Sequence, residues 1–310
     1  MILVTGGAGF IGSHVCEALV DRGERLRVLD DLSAGKPENL ASISEKIDFV
    51  KCDVRDAEAV LRAMEGVKGV IHLAALVTVF ESVDRPEHTH DVNVTGTFNV
   101  INAARLKGAK KIVFASSCAI YGEGDGSPMT EDRLPEPGSP YAASKLAGEH
   151  YIRVFAWLYG LNGVSLRFFN VYGPRQDPLS PYSGVISKFA HDVFSGKNPV
   201  IFGDGLQTRD FVYVKDVAQA ILSALYRPSV GSGEAVNIGT GKETSILSLV
   251  ETLSRVSGKK VAPSFSPPRA ADVRRISANI EKAIKLIGFD PAHTLESGLS
   301  SLWDYLKSMS

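Results

Sequence analysis

Ile2-Leu3-Val4-Thr5-Gly6-Gly7-Ala8-Gly9-Phe10-Ile11-Gly12 lies at the start of the chain, and its reading decides the fold. Residues 2–5 are apolar or β-branched and read as a buried strand. Residues 9–22 have helical periodicity. Between them, Gly6 permits a tight turn, Gly9 a close backbone approach, and Gly12 close contact of helix and sheet. A helix starting there presents free N–H groups and the positive end of its dipole to a pyrophosphate. Three glycines alone are a weak signal. A strand before them and a helix after them make this one strong.

Working outward, residues 26–30, 47–51, 70–73, 111–116 and 164–168 read as further strands. Residues 57–64, 92–106 and 141–159 read as helices. Buried strands alternating with helices predict an α/β fold, a Rossmann-type doubly wound parallel sheet, with ligands at the carboxyl ends of its strands. The Pro-, Gly- and acid-rich stretch 122–138 is expected on the surface near the site mouth. Beyond Gly173 the pattern loosens. A loop at 175–182 and helices at 185–194, 217–226, 247–256 and 280–287 predict a smaller C-terminal α/β substrate lobe. The expected division is a nucleotide-binding domain over 1–170 and the lobe over 171–310, with some segments returning to the large domain.

Composition excludes several classes of function. The 310 residues are 44% hydrophobic, enough for a large core. Lys and Arg total 34 against 35 Asp and Glu, so no charge bias points to nucleic acid or a membrane surface. Cys16, Cys52 and Cys118 show no metal-ligand spacing, so no metal is expected. Few cysteines and no leader-like segment lead to the expectation of a reducing, cytoplasmic setting.

Asp30 closes the second strand, where a carboxylate accepts hydrogen bonds from a ribose diol and repels a 2′-phosphate. NAD is therefore the expected cofactor, with Asp31 adding negative charge. Phe10 and Ile11 at the turn, Val54, Leu73, and the small Ala74 and Ala75 complete the expected cofactor contacts. Asp53 either hydrogen-bonds the adenine amino group or caps the next helix. Asn93 either bridges helix and loop near the cofactor or is a satisfied core amide.

Tyr141 and Lys145 are four residues apart, one helical turn on the same face. The ammonium favours phenolate over phenol, so Tyr141 is a candidate general base. Ser117, just after the fifth strand, completes a Ser/Tyr/Lys set that suits redox chemistry at a hydroxyl carbon.

These motifs identify the chain as resembling the extended short-chain dehydrogenase/reductase family, in particular its UDP-glucose 4-epimerase-like members. The resemblance rests on residues 5–12, on Ala115-Ser116-Ser117-Cys118-Ala119-Ile120-Tyr121-Gly122, and on Tyr141 to Lys145. It also rests on Arg167-Phe168-Phe169-Asn170-Val171-Tyr172-Gly173-Pro174-Arg175 and on Gln207-Thr208-Arg209-Asp210-Phe211-Val212-Tyr213-Val214. It implies a UDP-sugar substrate, with Asn170 and Arg209 on its diphosphate, Arg269 near the nucleotide and Asp272 on the ribose. It implies epimerisation at C4 through a transient 4-keto sugar, with reduction of a 4-keto sugar as the alternative. Dehydration is disfavoured, because Cys118 and Ala119 stand where related dehydratases carry an acid. Ile276, beside Ser277, falls where the family tunes tolerance of N-acetyl sugars. No bulky tyrosine stands there, so acetylated substrates are expected to fit. The family also forms homodimers through a four-helix bundle. Here that would use helices 92–106 and 141–159, with Ala103, Ala104, Ala147, Phe155 and Leu158 at the contact unless these pack inward.

Overall fold

The computed structural model describes residues 1–123, 128–179, 184–268 and 273–309. The strands are β1 (Ile2–Thr5), β2 (Leu26–Asp30), β3 (Ile47–Lys51), β4 (Gly69–His72), β5 (Lys111–Ser117), β6 (Asn162–Phe168), β7 (Asn170–Tyr172), β8 (Val200–Phe202), β9 (Thr208–Arg209), β10 (Phe211–Tyr213), β11 (Ser232–Ile238), β12 (Thr244–Ser245) and β13 (Ser264–Ser266). Seven of them form one parallel sheet in the order β11-β6-β5-β4-β1-β2-β3. The order reverses at β1, so a cleft opens between the loops after β1 and β4, where such sheets bind ligands.

The helices are α1 (Phe10–Asp21), α2 (Ala57–Ala63), α3 (Val79–Asp84), α4 (Pro86–His90), α5 (Gly96–Leu106), α6 (Pro140–Tyr159), α7 (Val185–Phe194), α8 (Val214–Tyr226), α9 (Ile246–Ser257), α10 (Glu281–Ile287) and α11 (Leu295–Ser308). Period-two alternation assigns them to the two sheet faces. Ile2 and Val4 of β1 join Val15 and Leu19 of α1 and Val217 and Ile221 of α8. Leu3, between them, joins Val60 of α2, Ile101 of α5 and Ile152 of α6 on the other face. Each fully buried aliphatic side chain of this kind contributes roughly 1.5–3 kcal/mol. A third core, under the C-terminal lobe, gathers Phe189 of α7, Leu249 of α9, and Leu302 and Trp303 of α11.

The expected returns to the large sheet are present, since β11 pairs with β6 and α8 packs on the same face as α1. Several expectations need correction. The described residues of the stretch 122–138 lie at the surface as expected, with the exception of Met129. Met129 is fully buried with Ile120, Tyr121, Phe169, Ile276 and Ala278, and it bridges to Ala278. The helix expected at 92–106 starts with a π-helical turn at Asp91–Thr95 before α5. Of the residues offered for a helix-bundle contact, Ala103, Ala104 and Phe155 pack inward, while Leu158 is exposed. Sequence reading also missed α3, α4 and α11. The last had a usable signal: Thr294 caps it, and Leu295, Leu299 and Leu302 follow at helical spacing.

Candidate active site

The glycine turn forms as expected. Gly6 takes a left-handed φ of +69°, and a Cβ there would lie 2.7 Å from the Ala74 nitrogen. A Cβ on Gly12 would lie 2.1 Å from the Gly6 carbonyl oxygen. The cradle is therefore shaped by backbone alone, and it fits a dinucleotide phosphate at the start of α1. Phe10 and Ile11 form the first turn of α1 at the cradle. Both side chains lean on the core of the C-terminal lobe and tie it to the lobe.

Asp30 is buried at the end of β2. Its Oδ2 accepts from the Ala8 N–H and its Oδ1 from the Leu32 N–H, both at 2.9 Å. Burial pushes its carboxyl above the usual range, and Asp31 adds to this. Each oxygen keeps a lone pair for a ribose hydroxyl. Asp31 is exposed and accepts from the Ser33 N–H and hydroxyl. Asp53 is gripped by the Arg55 guanidinium, which holds its carboxyl below the usual range. The helix cap falls to Asp56, which accepts from the Ala59 N–H. Val54 packs into the core under α5. Leu73, Ala74 and Ala75 line the loop after β4, where Thr5 Oγ1 receives the Ala74 N–H.

Asn93 is a buried, satisfied amide that also bridges helix and loop. It sits in the π-helical turn, a backbone irregularity common at functional sites. Its Oδ1 accepts from the Leu76 N–H, and its Nδ2 donates to the Leu76 carbonyl and to Ser144 Oγ. It thus clamps the loop after β4 to α6.

Ser139 caps α6 by accepting from the Ala142 N–H, with Pro140 at the first position, so Tyr141 sits in the first turn. Tyr141 and Lys145 are both buried. Ser117, at the end of β5, accepts from the Ala119 N–H, and its hydroxyl is close enough to the Tyr141 phenol to lower the phenol's pKa. Lys145 Nζ donates to the Ala115 carbonyl at 2.9 Å and lies 5.9 Å from the Tyr141 ring centre. Here the structure corrects the electrostatic expectation. Burial pushes the phenol up to about 12, and Ser117 only partly offsets it. Burial likewise pulls the Lys145 ammonium down to about 7. Desolvation sets both directions.

The sugar-nucleotide elements converge on the same place. The Asn170 N–H donates to the Asp210 carbonyl, pairing β7 with β10. Asn170 Oδ1 is buried with no hydrogen-bond partner among the described residues. Arg209 donates from Nη1 to the Thr208 and Val273 carbonyls. Cys118 lies within electrostatic reach of both Arg209 and Asp210, and burial raises its thiol to about 12. Asp210 is no surface partner, since its carboxylate accepts from Thr240, Gly241 and Ala278 inside the fold. Ile276 is buried in the cluster against which Cys118 packs, and Ser277 donates to Glu243. Arg269 and Asp272 lie outside the described residues.

His72 escaped sequence reading, because a lone histidine in a buried strand carries no pattern. Its ring bridges Thr5 Oγ1 at 2.7 Å and Thr97 Oγ1 at 2.9 Å beneath the cradle. Burial, helped by the charge of Lys145, pulls it down to about 3, so it is held neutral.

A dinucleotide cradle facing a Ser/Tyr/Lys set defines a nicotinamide-dependent enzyme acting at a hydroxyl carbon. The sequence pattern of the NAD dependent epimerase/dehydratase family matches residues 2–239. The UDP-glucose 4-epimerase of Mycolicibacterium smegmatis is 40% identical over 312 residues, covering 99% of both chains. Two solved structures superpose closely. One is the UDP-N-acetylglucosamine 4-epimerase from Methanobrevibacter ruminantium in complex with UDP-N-acetylmuramic acid. It has a TM-score of 0.95 and 37% identity, over 100% of this chain and 98% of that one. The other is the Thermus thermophilus UDP-glucose 4-epimerase complex with NAD, with a TM-score of 0.90 and 40% identity, over 100% and 99%. The chain belongs to the NAD dependent epimerase/dehydratase family. It is an NAD-dependent isomerase of that family's epimerase branch.

Proposed function

We propose that this NAD-dependent UDP-sugar 4-epimerase interconverts UDP-glucose and UDP-galactose and also accepts their N-acetylated forms. The meeting of Ser117, Tyr141 and Lys145 at the edge of the cofactor cleft carries the reading. NAD, when bound, would supply a reversible hydride acceptor for the sugar carbon. Ser117 holds the sugar 4-oxygen. Tyr141 takes its proton and later gives it back to the other epimer. Lys145 would hold the nicotinamide ribose, and Asp30 the adenosine ribose. Arg209 and the Asn170 amide hydrogens hold the diphosphate, while Asn170 Oδ1, an acceptor without a donor among the described residues, suits a hydroxyl. The N-acetyl tolerance is supported by Ile276, a compact side chain buried at the cluster against which Cys118 packs.

The test is to incubate the purified protein, with no added cofactor, with each of the four UDP-sugars. Interconversion in both directions is expected within each pair. Turnover of the glucose pair alone would refute the acetyl reading. Inactivity on all four, even with NAD added, together with reduction of a 4-keto sugar, would move the chain to the reductase alternative. Arg209→Met in the same assay should raise KM roughly tenfold or more with kcat little changed, the scale of one charged hydrogen bond.

The proposed division near residue 170 assigns NAD to the first part and the sugar nucleotide mainly to the second. The proposed setting is the reducing cytoplasm, in keeping with three free cysteines. Among the described residues, no helix is long and apolar enough to cross a membrane. The proposed assembly is a homodimer through α5 and α6. Its support is an exposed apolar face comprising Phe98, Leu106, Val154, Leu158 and Trp157, the last 83% exposed. Light scattering at micromolar concentration should give twice the chain mass, and Trp157→Glu should halve it. A monomer mass for the unaltered protein would refute the dimer.

A further inference from the structure

We propose that Glu149 is a positioning residue: its buried pair with Arg167 fixes the rotation of α6 on β5, and so holds Tyr141 against Ser117. The proposal rests on the epimerase reading of that site. Tyr141, Lys145 and Glu149 follow at four-residue intervals along the buried face of α6. Helix and strand are in close contact there, since a Cβ on Gly148 would lie 2.4 Å from the Phe114 ring.

Glu149 Oε1 accepts from Ser116 Oγ at 2.5 Å and from Arg167 Nε at 2.9 Å. Its Oε2 accepts from Arg167 Nη2 at 2.8 Å. Ser116 precedes Ser117 on β5, and Arg167 lies on β6, three residues before Asn170. One carboxylate thus joins the helix carrying Tyr141 to the strand carrying Ser117. Arg167 Nη1 donates onward to the Tyr121 hydroxyl, which donates to Asn237 Oδ1 on β11. Asn237 Nδ2 donates to the Met129 and Asn279 carbonyls. Next to Asn279, the Ala278 N–H donates to Asp210, the neighbour of Arg209. The chain of bonds therefore runs from the helix of the proton-transfer residue to the strand of the diphosphate residue.

Every named member from Ser116 to Asn237 is buried. Removing two charges from water costs about as much as their pairing returns, and apolar pairs of similar volume are often as stable or more so. Stability alone does not account for the pair. Two parallel N–H···O bonds fix an angle as well as a distance, whereas an apolar contact lets a helix turn. Proton transfer needs that angle, because a shift of about 1 Å costs on the order of a hundredfold in rate.

The paired variant Glu149→Leu with Arg167→Met separates the two roles. Its melting temperature should be unchanged or raised, and its bound NAD and its KM for the UDP-sugar should match the unaltered protein. Its kcat should fall by about ten- to a hundredfold. A kcat equal to that of the unaltered protein overturns the proposal. If the paired variant does not fold, Ser116→Ala decides by the same split: lowered kcat at constant KM supports positioning, and unchanged kcat refutes it. Inactivity of the unaltered protein would instead count against the epimerase reading, so the two failures are distinguishable.

Discussion

Tyr141→Phe is expected to lower kcat by about 10²- to 10⁴-fold, the range that a positioned proton-transfer group supplies. The phenol is well placed for this effect. It is buried, within reach of the Ser117 hydroxyl, and one helical turn from Lys145. Loss of one oxygen leaves no cavity and keeps the ring packed, so the melting temperature and KM should barely change. Removing an interaction made mainly in the transition state lowers kcat and kcat/KM together. Single-turnover measurement with bound NAD checks this directly, since formation of reduced cofactor on adding UDP-sugar should slow as much as epimerisation. If epimerisation slows while reduced cofactor forms at the unaltered rate, Tyr141 is not the base for the first proton transfer. Burial raises the phenol to about 12, so without bound reactants Tyr141 stands protonated at neutral pH.

The second large effect concerns the cradle. Gly12→Ala should abolish copurification of NAD and lower stability. The added methyl would meet the Gly6 carbonyl oxygen at 2.1 Å and the Gly7 Cα at 2.7 Å, both backbone atoms. Neither can swing aside as a side chain does, so α1 must move away from β1. A displacement costing about 3 kcal/mol is at the upper end of overpacking and corresponds to roughly a hundredfold in Kd if borne by cofactor binding. Gly9→Ala makes the contrast. Its methyl would meet only the Gly6 oxygen, at 3.2 Å. It should leave the melting temperature nearly unchanged while weakening NAD, because its cost arises from the approaching phosphate. Calorimetric titration with NAD, beside thermal melts, separates the cases. NAD affinity equal to the unaltered protein in Gly12→Ala would remove the phosphate from this turn.

The parts legible in the sequence are those with local signatures. Residues 2–12 revealed a strand, a turn and a helix because periodicity and glycine stereochemistry act within a few residues. Tyr141 and Lys145 were legible because helical spacing alone makes them neighbours. The long-range partners were not. Nothing near Glu149 foretells Arg167, and nothing near Met129 foretells Ala278, since both pairings arise only when the sheet is assembled. The Pro- and Gly-rich composition around Met129 correctly suggested a surface loop, but not that tertiary packing would bury the Met129 side chain within it. Electrostatics failed for a related reason. Sequence spacing gives the separation of Tyr141 and Lys145 but not the solvent removed from around them, and that removal decides both pKa directions.

The late strand β11 has a consequence for how the chain is made. It completes the edge of the sheet beside β6, and its Asn237 receives the Tyr121 hydroxyl. During synthesis, β6 leaves the ribosome some seventy residues before its neighbour, with the whole segment from 170 to 231 in between. An unpaired strand edge is a template for wrong pairings, and distant pairings form slowly. The nascent chain must therefore keep the edge of β6 shielded until residue 238 has emerged, and the buried charges of Glu149 and Arg167 lack their full enclosure until then. The last strand to join the sheet makes the order of translation a hazard for this chain, and it leaves a fragment cut near residue 170 with its most aggregation-prone edge uncovered.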